Sequence, residues 1–445
     1  MKFSRRNFIG ASLTATASAA LMSSKASALT LFQNQNFAVG QFRGAVPIMQ
    51  GLATKSTSQF VILTDAAIKY GYAAIDSKGG PYSLAITRRE SRTFSKFAIE
   101  KILVTGLKTN TDYTLQVIDP NTGKPIDERL FKSLDTDLKN PKLMIASCMK
   151  DNKEEEREVM WDNVAEAKPD VVFLIGDTCY SDNGNDGSDA GYWRRYCETR
   201  SLLSHFRQKR LIPTLAVWDD HDFADNNADG TFAKKEMTKD LFKIFWDNEP
   251  QEGAITKGPG VAQLFNAFGQ RFFMMDSRFY RSPRGSSNPV QWGEQQEDFL
   301  FENISKGAKP SWLMNGSQFF GGYLQKDAFE YWHSENLKSI CQRLARIEAP
   351  VVFASGDVHF SEYMKIEPEI LGYTTYEITS SSIHSTTIAG LHLRKKNPRR
   401  IDASSTHQFA IVQTDVNKTG DWTIAAQSFK MGLIKTLEHT ATITR

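Results

Sequence analysis

Four short segments of the chain set an acid, an imidazole or a thiol directly behind an apolar run. Cys148 follows Leu143–Ser147, and Gly176-Asp177-Thr178-Cys179-Tyr180 follows Val171–Ile175. Asp219-Asp220-His221-Asp222 follows Pro213–Trp218, and Gly356-Asp357-Val358-His359 follows Pro350–Ser355. Each alone has a plainer reading: an Asp behind a strand caps the next helix, and three Asp around one His make a solvated turn. Four such ends together read as a metal cluster. Imidazole suits a transition metal, and carboxylates suit Ca²⁺ or Mg²⁺ as well. Asp177 suits a carboxylate that bridges two cations, because Gly176 lets the backbone approach closely. Asp357 and His359, two residues apart on an extended strand end, point to one side. Two cations a few ångströms apart would clamp both ends of an in-line displacement at phosphorus.

Such a cluster needs elements that converge. From residue 143 to about 380, apolar runs alternate with helical periods, the pattern of an α/β domain. Strands are expected at Leu143–Ser147, Val171–Ile175, Pro213–Trp218, Arg271–Asp276, Ser311–Asn315, Pro350–Ser355 and Tyr373–Thr379. Helices are expected near 153–167, 190–208, 233–247, 294–304 and 334–348, the last with Leu337, Ile340, Cys341, Leu344 and Ile347 on one face. In open α/β sheets, sites gather at the carboxyl ends of the strands. Residues 399–445 return to short strands and are expected to close the domain as a terminal hairpin.

Ahead of this domain, residues 29–138 look all-β, with short apolar runs broken by turns such as Asp119-Pro120-Asn121-Thr122-Gly123. The stretch Ile102–Leu107 followed by Asn110–Leu115, with Tyr113, is similar to the corner of a fibronectin type III or immunoglobulin-like sandwich, where a Tyr hydroxyl ties a strand to the preceding turn. This module is expected to be a scaffold without chemistry of its own.

The N-terminus reads as an export address. Arg5-Arg6 precede an Ala-rich, mildly apolar stretch, and Ala26-Ser27-Ala28 fits a cleavage site, which makes residues 1–28 a twin-arginine signal; an ordinary secretory signal is the alternative. The expected destination is the periplasm or the exterior, after passage through the twin-arginine export machinery. Lys2, Arg5, Arg6 and Lys25, with no acid among residues 1–28, exceed the whole formal charge of +3. The remainder is nearly neutral and carries no nucleic-acid or membrane footprint. At 445 residues, 40% hydrophobic and 24% charged, the chain is globular, and after the signal no apolar run approaches the ~20 residues of a membrane helix. Cys197 and Cys341 read as core residues. Ser181–Asp189, rich in Gly, Asp and Asn, reads as a mobile loop, with Ca²⁺ binding as the alternative.

The order GD-x-x-Y, D-D-H-D, G-D-V-H resembles the PhoD-type alkaline phosphatases and phosphodiesterases, a branch of the metallophosphoesterases. Ala146-Ser147-Cys148, Met275-Asp276-Ser277-Arg278-Phe279-Tyr280-Arg281, Trp312–Gln318 and Glu377–Ser382 are similar to further family segments. The resemblance implies a metallophosphoesterase-like α/β sandwich over residues 139–445. It also implies an Fe³⁺ held by Cys148, Asp177, Tyr180 and His359, with Asp177 bridging to Ca²⁺ beside Asp220, Asp357 and an amide from Asn226 or Asn227. His221 and Asp222 take the catalytic positions, with His221 steadying the phosphate or protonating the leaving oxygen; Asp222 stands where other members have Glu. Arg278 and Arg281 are candidates for the substrate phosphate, with an ion pair to Asp276 as the alternative. The implied substrates are small phosphate esters or phospholipid and nucleotide esters. Two other readings remain: a phospholipase D-like phosphodiesterase with little monoesterase activity, and a secreted binding protein with a degenerate metal site.

Overall fold

The computed structural model describes residues 42–152, 154–322, 327–417 and 420–445. The expected signal and the first residues of the expected sandwich lie outside these. Seven strands come first: β1 (Ile48–Ala53), β2 (Thr57–Asp65), β3 (Gly71–Ile75), β4 (Ser83–Ser91), β5 (Phe97–Thr105), β6 (Asp112–Ile118) and β7 (Pro125–Lys132). They form two antiparallel sheets, ordered β1-β2-β5-β4 and β3-β6-β7. Alternation along β6 turns Tyr113, Leu115 and Val117 inward, onto Ile48, Phe60, Ile62, Ile102 and Val104 of the other sheet. The Tyr113 hydroxyl accepts the Lys108 N–H at 2.7 Å, the tie expected from the sequence.

The rest is a β-rich α/β fold on two larger sheets. β8 (Lys142–Ala146), β9 (Val171–Ile175) and β10 (Thr214–Val217) pair in parallel. A second set comprises β11 (Ile255–Lys257), β12 (Gln263–Ala267), β13 (Gln270–Met275), β14 (Ser311–Asn315), β15 (Val351–Ser355), β16 (Ser361–Ile366), β17 (Thr375–Thr379) and β18 (Arg400–Ser404). In it β13, β14, β15 and β17 run parallel. The last strands are β19 (Phe409–Val416), β20 (Trp422–Lys430) and β21 (Ile434–Ile443). They extend the first sheet in the order β10-β9-β8-β19-β20-β21.

The terminal segment is therefore more than a closing hairpin. β19 pairs with β8, the strand that leads to Cys148, through Ala410↔Ile145 and Ile411↔Met144. Its residues from Phe409 to Thr414 are all buried, as a central strand requires. The two sheets face one another: Phe173 stacks on Phe272 at 4.9 Å between ring centroids, Trp312 meets Trp422 at 5.3 Å, and Gln270 Nε2 donates to Thr414 Oγ1 at 2.7 Å.

Helices follow the expected periods: α1 (Glu154–Ala167), α2 (Asp189–Leu202), α3 (Lys235–Trp246), α4 (Gly293–Ile304) and α5 (Ser334–Leu344). α5 buries Leu337, Ile340, Cys341 and Leu344 of the expected face but ends at Leu344, short of 348, so Ile347 lies beyond it and is half-buried. The helix expected to reach 208 ends at Leu202, because Leu203 turns extended and is fully buried; a separate 3₁₀ turn, Ser204–Arg207, follows. All four cysteines are buried and free.

The small sheets are tied to the larger ones through polar groups. Lys101 Nζ donates to the carbonyls of Lys243 and Asp247 at the end of α3, both at 2.8 Å. The fully buried Arg129 pairs with Asp127 and donates to Phe206 O and Gln208 O. No helix among the described residues is long and apolar enough to cross a membrane.

Candidate metal centre

Parallel pairing puts the carboxyl ends of β8, β9 and β10 at one edge of their sheet, and those of β13, β14, β15 and β17 at one edge of the other. These edges meet. Ser277, behind β13, donates to Asp219 Oδ1, behind β10, at 2.6 Å. Ser381, behind β17, lies with its Oγ 3.3 Å from Cys148 Sγ, behind β8.

The backbone is forced where the loops converge. Cys148, Asp177, Asn227, Asp357 and His359 have φ of 59°, 53°, 60°, 68° and 57°. That left-handed region is easy for Asn but costs other L-residues about 1–3 kcal/mol each, and it concentrates where surrounding structure over-determines the backbone for function. Here the surroundings are explicit: Cys148 N–H donates to Gly176 O at 3.2 Å, Met149 N–H to Asp177 O at 2.9 Å, and His359 N–H to Ser381 Oγ at 3.0 Å. Gly176, at φ 96°, cannot be replaced: a Cβ there would lie 2.6 Å from the Asp219 Cβ.

Ligand-type atoms of Cys148, Asp177 and His359 lie within 4.8 Å of one another, and so do those of Asp177, Asp220 and His221. Asp177 belongs to both groups. Its Oδ2 is 3.4 Å from Cys148 Sγ and 3.2 Å from the Tyr180 hydroxyl, which is itself 3.5 Å from His359 Nε2. A third group joins Asp219, Asp327 and Asp357. The His221 ring stacks on Tyr180 at 4.3 Å between centroids, and its Nδ1 is 2.8 Å from Asp182 Oδ2.

The donor set fits metal ions. Asp177 Oδ1 and Asp219 Oδ2 are buried and have no hydrogen-bond partner among the described residues, a costly arrangement for oxygens unless a cation meets them. Burial, reinforced by Asp220, holds the Asp177 carboxyl well above the usual carboxylate range. Burial and Asp177 likewise push the Cys148 thiol and the Tyr180 phenol up, so a cation is what would ionise all three. Burial lowers His359 to about 4, with the nearby His221 adding to it, which leaves a neutral imidazole ready to ligate. Burial would lower His221 too, but Asp177, Asp182 and Asp220 outweigh it and carry the ring up to about 10. The excess negative charge that raises it is the charge a pair of cations would neutralise.

A sequence profile described as PhoD-like phosphatase matches residues 143–433. The chain belongs to the PhoD-like phosphatase family. Membership supports a phosphate-ester hydrolase. No curated protein matches the sequence. Among solved structures, the chain is similar to amylomaltase from Corynebacterium glutamicum at 8% identity and a TM-score of 0.15, over 33% of this chain and 23% of that one. That likeness carries no argument.

Within this PhoD-like phosphatase, several residues singled out in the sequence lie elsewhere than expected. Asp222 is fully buried. Its oxygens accept from Thr178 N and Oγ1, Cys179 N and Asp219 N at 2.5–3.1 Å. It brackets the loops behind β9 and β10 and has no access to a reacting atom, so the catalytic position expected for it is corrected to a positioning one. The spacing Asp219-x-x-Asp222 is that of a capping box, a signal present in the sequence. Arg278 and Arg281 are also buried. Arg278 Nε donates to Asp219 Oδ1 at 2.5 Å, its Nη2 pairs with Asp327, and Arg281 Nη2 lies 2.6 Å from Asp327 Oδ1. Both guanidinium groups are spent chiefly on these buried carboxylates, though Arg281 Nη1 has no hydrogen-bond partner among the described residues. Neither guanidinium pairs with Asp276, whose oxygens accept from Trp218 Nε1 and the backbone N–H groups of Val261, Arg278 and Phe279.

Asn226 is exposed, whereas the backbone N–H of Asn227 donates to Asp220 Oδ2 at 2.6 Å, so of the two residues Asn227 is the one whose backbone meets the cluster. The 181–189 loop turns Asp182 and Ser181 toward His221, and its tip is held within itself: Asp186 Oδ1 accepts from Ser188 N and Oγ, Asn185 Oδ1 accepts from Gly187 N, and Ser188 caps α2. Asp182, Asp219, Asp327, Ser381 and Ser385, whose Oγ is 2.8 Å from the Tyr180 hydroxyl, were not legible as site residues. Only pairing across loops distant in sequence brings them in.

Proposed function

We propose that the protein is an exported phosphate-ester hydrolase of the alkaline phosphatase D type, acting on phosphomonoesters and diesters through an Fe³⁺/Ca²⁺ centre. The observation that carries the reading is Asp177, shared between a group with Cys148 and His359 and a group with Asp220 and His221. Cys148, Tyr180 and His359 would hold the softer, ferric position, and Asp220, Asn227 and Asp357 the oxygen-only position suited to Ca²⁺. Such a metal pair would supply an activated water and neutralise charge on the phosphoryl oxygens.

The protein's own residues do the rest. Asp182 fixes the His221 ring through Nδ1, leaving Nε2 to hold a proton for the leaving oxygen. Asp222 ties the loop that carries Asp177 to the loop that carries Asp220. Arg278 offsets Asp219 and Asp327 behind the site, so those carboxylates need not all be met by metal. The paired arginines of the N-terminus support export by the twin-arginine route. The four-plus-three strand order of the small sheets supports an immunoglobulin-like support domain.

The test is hydrolysis of a chromogenic phosphate diester beside the matching monoester, in signal-free protein with added Ca²⁺ and a chelated control. Chelator-sensitive turnover of either ester is expected. A strong preference for the diester would shift the reading to a phosphodiesterase of phospholipase D type. Protein shown to contain iron and calcium that turns over neither would overturn the reading in favour of a binding protein.

A further inference from the structure

The proposed hydrolysis needs a cation beside the metals to hold a substrate phosphate, and the arginines expected to do so are spent on Asp219 and Asp327. Other cations near the cluster are also engaged. Arg195 pairs with Asp151 at 2.9 Å and Glu198 at 2.7 Å, Lys234 donates to Gly187 O at 2.7 Å, and Lys235 donates to Gly230 O at 2.8 Å.

Lys150 is different. It lies two residues beyond Cys148 on the loop behind β8 and is half-buried. Its backbone is clamped, because its carbonyl lies 2.8 Å from His384 Nδ1, and Trp161 Nε1 donates to the other ring nitrogen at 3.0 Å. Its Nζ stands 5.3 Å from the centroid of the Tyr180 ring, the ring on which His221 stacks at 4.3 Å. Among the described residues no carboxylate pairs with it. An ammonium held over an aromatic face is positioned but only partly satisfied, and it keeps three donors for an anion.

Building on the proposed hydrolase, we infer that Lys150 binds the non-bridging oxygens of the substrate phosphate and favours the doubly charged monoester over the singly charged diester. The ammonium donates to those oxygens; it transfers no proton and makes no bond to phosphorus. A single cation placed this way interacts more strongly with a dianion than with a monoanion. Because the contact exists before and during reaction, its loss shows in KM more than in kcat.

The experiment compares wild-type protein, Lys150→Met and Lys150→Arg on the chromogenic monoester and diester, at low and high salt, with inorganic phosphate as a competing inhibitor. The expected result for Lys150→Met is a KM for the monoester raised about 10-fold, a loss of about 1.4 kcal/mol in binding. The diester KM rises less, phosphate inhibition weakens, and kcat stays near wild type. Wild-type KM rises with salt more steeply than that of the variant, and Lys150→Arg recovers most of the affinity. A merely structural lysine would not separate the two esters or the salt dependence. Equal KM values in wild type and Lys150→Met for both esters overturn the inference while leaving the hydrolase reading intact. A wild-type protein that turns over neither ester overturns both.

Discussion

His221 Nδ1 lies 2.8 Å from Asp182 Oδ2, and these two side chains, 15% and 17% exposed, are more open to solvent than Asp219 and Asp220 beneath them, at 1% and 3%. The pair sits between the buried ligand groups and the solvent from which a substrate arrives. With Nδ1 held by the Asp182 carboxylate and the ring carried up to about 10, both ring nitrogens keep a proton near neutrality, and the one on Nε2 is the one left to give.

Replacing His221 by Ala should lower kcat by about 10²–10⁴-fold, the range of a lost general acid. Asp182→Ala should follow in the same direction with a smaller loss, since the ring remains but is no longer oriented. Steady-state kinetics on the chromogenic esters measures both. A kcat for Asp182→Ala equal to wild type would show that the pair does not orient the proton donor.

Asp177 is shared by two ligand groups, so its loss should affect both metal positions together. Asp177→Asn is expected to reduce both iron and calcium content, measured by elemental analysis after desalting, and to lower activity by more than about 100-fold, the upper end for losing an outer partner of a ligand. Cys148→Ser and Tyr180→Phe should act on iron alone, altering any visible thiolate or phenolate band and weakening iron retention. A Tyr180→Phe protein with full iron and full rate would remove Tyr180 from the ligand set.

Arg278 is fully buried between Asp219 and Asp327. Arg278→Met should destabilise the protein by about 3–5 kcal/mol, because two buried carboxylates lose their counter-charge. Arg278→Lys should recover little, since one ammonium cannot reproduce the forked contacts. Urea unfolding of the metal-free protein measures this. A loss below 1 kcal/mol for Arg278→Met would mean that the carboxylates are satisfied some other way.

Lys101 gives a pH signature in the small four-stranded sheet. Burial lowers its ammonium from 10.5 to about 8, although Asp247 pulls the other way. Between those values the unfolded chain holds a proton that the folded chain has released, so stability rises with pH across that window, by at most about 3 kcal/mol from this group. Lys101→Met removes that contribution and leaves the Lys243 and Asp247 carbonyls without their donor. The gain in unfolding free energy from pH 8 to pH 10 should therefore be smaller in the variant than in wild type, and equal gains would exclude Lys101 as the source.

Much of the fold could be read from residue order. Val171–Ile175 and Ser311–Asn315 are strands over the expected residues, and the face of α5 is the face its spacing gives. Local signals suffice there because an uninterrupted apolar run or a 3.6-residue period is decided by immediate neighbours. The place of β19 beside β8 was not legible, because pairing between strands more than 250 residues apart leaves no local trace.

The site divides the same way. Residue types and their position behind strands pointed to Cys148, Asp177, Asp220, His221, Asp357 and His359 as one chemistry, because metal ligands must be specific atoms on converging ends, and the family resemblance added Tyr180. Which polar residues face the cluster and which lie spent behind it was decided only by the tertiary structure. Asp222, Arg278 and Arg281 carry the same formal charges in the sequence as true site residues would. Burial among partners from distant loops turns Asp222 into a bracket and the arginines into counter-ions, while Lys150, unremarkable in the sequence, is set beside the Tyr180 ring.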